Sequence, residues 1–295
     1  GRRGAGGGAV CGWGGGAAGG AGEWGNGHGG KGANPAEMNN LGVPVPAGFT
    51  VACAECIEYL NTGKYSDKLR AEVEGNVARL EEATGKKMGD PRNPLLVSVR
   101  SGAAVSMPGM METILNLGLN DRTAIGLAEQ SKDARFAYDS YRRFIQMYSD
   151  VVLGVSAHDF EHLLKAKRMT AGAESDADLG ENELRNLVEE YKALVRNRSS
   201  SEFPRDPVVQ LWGAIEAVWR SWMLKKAKDY RRVHGISEDL GTAVSVVSMV
   251  FGNIGEDSGT GGACTRNPSP GERKFYVELL MNAKGEEDGD GTRTP

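Results

Sequence analysis

The sequence predicts an α+β fold, and three observations carry that prediction. Apolar residues recur at helical spacing through the middle of the chain, from Ala137 to Trp222. Short apolar runs of strand type flank that block, residues 95–99 on one side and 243–251 and 275–281 on the other. The chain has 295 residues, of which 40% are apolar, enough for the buried core of one large or two ordinary domains. No apolar run approaches the roughly 18 residues that would cross a bilayer.

Residues 1–28 are so rich in glycine and so poor in apolar periodicity that burial cannot offset the entropy of ordering them. Disorder is expected there, which leaves 29–295 as the globular part. Cys53 and Cys56 make one C-x-x-C, but neither a second pair nor spaced histidines follow, so two small residues entering a helix are expected rather than zinc. Ser66 caps a helix that runs to Thr84 and stops at Gly85, with Leu69, Val73 and Leu80 on one face. Ala137, Tyr141, Phe144, Ile145 and Tyr148 form the stripe of a second helix, and Leu184, Leu187, Val188, Tyr191 and Leu194 that of a third. Asp206 as cap and Pro207 in the first turn open another, striped by Val208, Leu211, Trp212, Ile215, Trp219 and Trp222. Its aromatics are expected in the core. A turn at Pro270-Gly271 precedes the last strand, and no internal repeat is present.

Charge narrows the partners. Lys+Arg 35 against Asp+Glu 39 gives no basic surplus for nucleic acid or an anionic membrane. Four cysteines are too few for a disulfide framework at this length. The cytosol is the default compartment, with a plastid or peroxisome-like organelle left open.

Two local motifs have bland explanations. Gly25 to Lys31 reads G-x-x-x-x-G-K, yet Gly32 stands where a phosphate loop needs Ser or Thr, and no strand is expected before it. His158 to His162 fits H-x-x-E-H, in which two histidines one turn apart hold zinc. On a helical wheel Phe160, Leu163 and Leu164 define the buried face and both histidines point to solvent. Ser156 and Asp159 also fit a capping box, which explains the acid without chemistry.

Other segments point further. Residues 29–34 read GGKGAN and 44–49 PVPAGF, while 97–102 read VSVRSG, 106–113 SMPGMMET and 115–121 LNLGLND. Residues 136–144 read FAYDSYRRF, 249–253 MVFGN, 258–261 SGTG and 265–268 TRNP. In this collinear order, from Gly29 to Pro295, the chain resembles the pyruvate, phosphate dikinase family. The resemblance implies an ATP-grasp-like nucleotide domain with a helical middle section, ending before its last strands. It implies ATP as substrate with magnesium, and phosphate and pyruvate as further substrates, pyruvate acting through domains not contained here. A homodimer of the longer enzyme is a further implication. Residue by residue, Lys31 and Arg100 match the family's phosphate-binding Lys and Arg, and these two are the expected catalytic pair. Gly109 matches a glycine of the nucleotide site, Thr260 and Gly261 the lid, and Glu278 and Glu286 acidic positions of the next strand and turn. No metal ligand is assigned. Charge neutralisation, more than covalent help, is what phosphoryl transfer asks of a protein.

Departures accompany the match. Pro35 replaces an apolar helix residue, tolerable if Asn34 is the cap and Pro35 lies in the first turn. Val247 and Lys284 each replace a Gln, and Gly262 and Cys264 replace apolar strand residues. The usual first strand is not recognisable in the glycine tract. None of His28, His158, His162 or His234 lies in the Thr-Ser-His-Ala sequence that carries phosphate in the family. Metal analysis of protein purified without chelator is expected to find no equivalent of zinc that disappears in His162→Ala.

Overall fold

The computed structural model describes residues 9–13 and 30–285, and of residues 30–33 the backbone alone. Its main sheet has five antiparallel strands in the order β1-β2-β5-β3-β4, namely β1 (Val10–Trp13), β2 (Gly48–Val51), β5 (Ala243–Ser248), β3 (Val97–Gly102) and β4 (Thr113–Leu117). A separate antiparallel hairpin pairs β6 (Gly259–Cys264) with β7 (Tyr276–Met281). The fold is mixed α and β, as expected.

Helices α1 (Gly30–Asn40), α2 (Cys53–Thr62) and α3 (Asp67–Thr84) lie early in the chain. Between β4 and β5 run α4 (Asp121–Ser131), α5 (Ala134–Tyr148), α6 (Ala157–Ala171), α7 (Glu181–Ser199), α8 (Pro207–Ser221) and α9 (Lys225–His234). Their ends follow the local chemistry. Ser66 accepts from the Leu69 amide and Asp206 from the Val208 amide, while Gly85 takes the left-handed turn that closes α3. The expected stripes are buried except at Leu194, which is half-buried, and Val208, which is 47% exposed. Cys53 and Cys56 enter α2 as buried free thiols, and burial pushes the Cys56 thiol up to about 12. Residues 95 and 96 precede β3 as buried coil, and β3 instead extends through Arg100 to Gly102.

Several expectations need correction. Residues 10–13 are not disordered: β1 pairs with β2 at the sheet edge, Trp13 is buried, and its Nε1 donates to the Pro46 carbonyl at 2.9 Å. One aromatic and one strand partner supply the order that the surrounding glycines could not. The rest of 1–28 and the near phosphate-loop motif at Gly25 lie outside the described residues. Pro35 falls inside α1 rather than in its first turn, so Asn34 is not a cap. Ser156 precedes α6 without capping it through its side chain, and the Asp159 carboxylate pairs instead with Arg198 at 2.9 Å. His158 and His162 are exposed with ring centroids 4.4 Å apart, and no group of three metal-ligating side chains occurs among the described residues.

Tertiary packing locks the sheet to α8. Gln210 is fully buried; its Oε1 accepts from the Gly118 amide at 3.0 Å, and its Nε2 donates to the carbonyls of Leu119 (3.0 Å) and Pro204 (2.7 Å). Gly118 has φ +109, and a Cβ there would meet the Leu95 carbonyl at 2.8 Å, so the turn after β4 requires glycine. Gln210→Leu would keep the volume but orphan one amide and two carbonyls. A loss of roughly 2–4 kcal/mol is expected, read as a lower denaturant midpoint at unchanged m-value.

Candidate functional site: a basic cleft

Arg100 is where the sheet becomes polar. In β3 the three residues before it are buried, while Arg100 itself is exposed between Thr113 of β4 and Ser245 of β5. Its guanidinium makes no hydrogen bond or ion pair with another described residue. It opens into a cleft of ≈ 1230 Å³. The floor includes Thr113 and Asn116 of β4, one wall comes from α5 and α6, and the loop at 249–253 with Gly259 and Thr260 of β6 faces them. Phe136 of α5 meets Phe251 of that loop edge-on at 5.1 Å, which fixes the loop against the helical wall.

Six cations line this cleft, Arg100, Arg142, Arg143, Lys165, Arg168 and Lys284, against three carboxylates, Asp150, Glu161 and Asp176. Beneath them sits Asp139, almost wholly buried. Its carboxylate holds Arg142 at 2.8 Å, Arg143 at 3.1 Å and Lys284 at 2.6 Å. Arg142 also reaches Asp176 at 3.2 Å, and Arg168 reaches the same carboxylate at 3.3 Å. Burial alone would raise the Asp139 pKa, but Arg142, Arg143 and Lys284 together hold it far below the usual carboxylate range. Asp139 is therefore a permanent anion that keeps its cations in place.

Such a wall suits a polyanion. Oxyanions gain most from Arg and Lys fixed in advance, because the reorganisation has been completed during folding. The turn before β6 is closed by its own packing. At Gly252 a Cβ would meet the carbonyls of Ala283 at 2.4 Å and Gly259 at 2.7 Å, and Ser258 Oγ accepts from the amides of Ile254 and Gly255, each at 3.1 Å. The described residues do not by themselves build a magnesium site. Asp176 is held by two arginines, and Asp150 accepts from the Ala157 amide at 3.2 Å.

Of the residues singled out in the sequence, the cleft brings together Arg100 and Thr260. Gly109 lies outside it in an exposed turn with φ +70. Gly261 does not line it, and a Cβ there would meet the Glu278 carbonyl at 2.0 Å, so hairpin packing already demands glycine. Glu278 is exposed on β7 and accepts from the Tyr276 hydroxyl at 2.6 Å. The Lys31 side chain and Glu286 lie outside the described residues. Sequence reasoning missed Asp139, Arg142, Arg143, Lys165, Arg168 and Lys284 as a group. A signal existed: Arg142 sits at i+4 from Tyr138 and i−3 from Ile145, a charge on an apolar stripe.

A mixed α/β domain with a cation-lined cleft under a glycine-bearing hairpin defines a class, a domain suited to phosphorylated ligands. The chain belongs to the family described as pyruvate phosphate dikinase, AMP/ATP-binding domain, which it matches over residues 26–83 and 65–295. It is 52% identical over 268 residues to pyruvate, phosphate dikinase of Rhizobium meliloti (strain 1021), covering 90% of this chain and 30% of that protein. It is 53% identical over 269 residues to the enzyme of Clostridium symbiosum, covering 90% and 31%. To pyruvate, phosphate dikinase 1, chloroplastic, of Zea mays it is 49% identical over 268 residues, covering 90% and 28%. The chain thus spans about 30% of the length of these relatives. Among the described residues no helix is long and apolar enough to cross a membrane.

Asp139→Asn should test the charge cluster. It leaves Arg142, Arg143 and Lys284 facing a neutral amide, with an expected loss of roughly 3–5 kcal/mol at neutral pH. Because the folded pKa lies below the unfolded value of about 3.9, Asp139's contribution is fully present above that value and fades as the pH falls toward the folded one. Wild type and variant should therefore converge in stability on acidification, as measured by urea denaturation between neutral and strongly acid pH.

Proposed function

We propose that this chain is the ATP-binding portion of a pyruvate, phosphate dikinase, with ATP phosphates against Arg100 and the α5–α6 cations. The observation that carries the reading is Arg100: an exposed guanidinium, unpaired among the described residues, at the mouth of a cleft with a cation surplus. An ATP-grasp arrangement, the nucleotide lying between the sheet and the β6–β7 hairpin, is part of the same reading. Lys31, Gly109, Gly261, Glu278 and Glu286 belong to it through the family resemblance, as does magnesium accompanying the ATP phosphates. In the longer protein the overall conversion would be ATP, phosphate and pyruvate to AMP, pyrophosphate and phosphoenolpyruvate.

The chain's own share of that chemistry is binding and presentation. Arg100 would neutralise phosphate oxygens through charge-assisted hydrogen bonds. None of the described histidines lines the cleft, which supports a division of labour in which the phosphate-accepting histidine that the family resemblance implies belongs to another part of the longer protein. That observation also favours a second reading for the chain taken alone, a nucleotide-binding module without turnover.

Arg100→Ala removes contacts worth roughly 1.5–3 kcal/mol, or about 10- to 150-fold in ATP affinity, without disturbing the buried face of β3. In a thermal-shift titration Mg-ATP should raise the melting temperature of the wild-type chain more than adenosine does, and Arg100→Ala should erase that difference. Equal protection by ATP in wild type and variant would remove Arg100 from the site. Incubation with β-labelled ATP and an alkaline quench should leave no label on this chain; retained label would mean that one of its own histidines carries phosphate.

A further inference from the structure

A second cavity, of ≈ 660 Å³, lies under α9 and shares no lining residue with the basic cleft. Arg231 is its anomaly. The side chain is 1% exposed, yet its Nε and Nη2 have no hydrogen-bond partner. Nη1 is committed to the Trp222 carbonyl at 2.7 Å, and the guanidinium carbon stands 3.9 Å from the centre of the Trp222 ring. What remains free is the Nε–Nη2 edge, the pair of parallel donors with which arginine grips an oxyanion in bidentate fashion. Buried donors are almost always satisfied, so two orphans on one edge call for a partner. Glu238 does not supply it: its Oε1 is 4.0 Å from Nη2, beyond hydrogen-bond range, and its side chain is largely exposed. The Glu238 backbone is meanwhile anchored, its carbonyl accepting from Trp222 Nε1 at 3.0 Å.

The surroundings share the sign of Arg231. Lys225, Lys228, Arg231 and Arg232 line the cavity against Asp229 and Glu238. Asp229 already serves both Lys225 at 2.5 Å and Arg232 at 3.0 Å. Lys228 is half-buried and forms no ion pair with a described residue. One carboxylate is thus shared by two cations, the second stands 4.0 Å from Arg231 without a hydrogen bond to it, and Lys228 has no ion-pair partner among the described residues.

We infer that this cavity is a second anion site, separate from the nucleotide cleft, which takes a phosphate group on the Nε–Nη2 edge of Arg231 with Lys228 and Arg232 around it. The phosphate is inorganic or the monoester end of a small metabolite; the shared chemistry is a tetrahedral dianion. The carboxylate of Glu238 is its competitor, since a modest swing would bring it onto the same edge. This inference does not depend on what the larger cleft binds.

The test uses the 295-residue chain, ¹⁵N-labelled and carrying Arg100→Ala to weaken phosphate binding in the larger cleft. Arginine Nε–Hε resonances are followed by NMR while inorganic phosphate, glycerol phosphate or acetate is added at constant ionic strength. One buried resonance, assigned to Arg231 by its absence in Arg231→Lys, should move saturably with phosphate and not with acetate. Lys228→Ala with Arg232→Ala, at a half-buried and an exposed position, should weaken that binding by about tenfold or more. Glu238→Gln should tighten it. Tighter binding of glycerol phosphate than of phosphate would identify an ester as the natural occupant, and the reverse the free ion. No phosphate-dependent shift, an equal shift with acetate, or a shift indifferent to Lys228→Ala with Arg232→Ala would each overturn the inference. If Arg231→Lys does not fold, the double alanine variant and the acetate control decide alone.

Discussion

The cleft depends on one buried negative charge. Asp139 sits on α5 and collects Arg142 and Arg143 from its own helix and Lys284 from beyond β7. A charge removed from water is tolerated only when paired, and here the pairing runs through elements remote in sequence. Arg142 carries the connection on to Asp176, and Asp176 to Arg168 of α6. A chain of alternating charges therefore fixes two helices and the segment after the hairpin relative to one another. Folding has to bring these cations together against their mutual repulsion, and Asp139 is what makes that arrangement stable. The same arrangement is what an incoming phosphate would meet.

Sheet and helices divide the labour around that cluster. The strands β2, β5 and β3 are buried almost throughout, with Thr50 and Ser245 sharing a hydrogen bond at 3.0 Å inside the sheet. Gln210 and the Trp and Tyr side chains of α8 and its neighbours fill the space behind it; Tyr65 stacks on Trp212 at 4.2 Å and Tyr59 tilts against Trp219 at 5.1 Å. The β6–β7 hairpin is different. Val277, Leu279 and Met281 of β7 are each about half exposed, and β6 carries three glycines. A rigid floor and wall facing a thin hairpin is an arrangement in which the roof can adjust while Arg100 and the α5 cations stay fixed.

Legibility differed by element for physical reasons. Helices with a polar cap and a stripe of apolar residues were legible, as α3, which a glycine also closes, and α8 show, because these signals are local. The strands β1, β4 and β6 were not. In β4 Asn116 adopts φ +59 next to an irregularity in the pairing with β3, and β6 has the sequence GTGGAC, whose glycines disfavour a strand until β7 pairs with it. The capping box expected at Ser156 failed because Arg198, distant in sequence, competes for Asp159. At the cleft, Arg100 was found by resemblance to a family motif, and Thr260 likewise. The cluster around Asp139 was not found, since nothing local announces that Lys284 closes onto a helix that ends at residue 148.

The amino-acid sequence by itself determined the fold class, the helical middle and its faces, the absence of a spanning helix among the described residues, and the family. All of these rest on short-range periodicity, composition or collinear motifs, which survive without knowledge of the third dimension. Only the tertiary structure decided which charges share a cleft, that Gly261 serves strand packing, that Trp13 orders an edge strand in a glycine tract, and that Arg231 is buried with a free edge. Those facts depend on contacts between residues far apart in the chain. A buried charge reveals its purpose only when its partners, present or missing, can be measured in space.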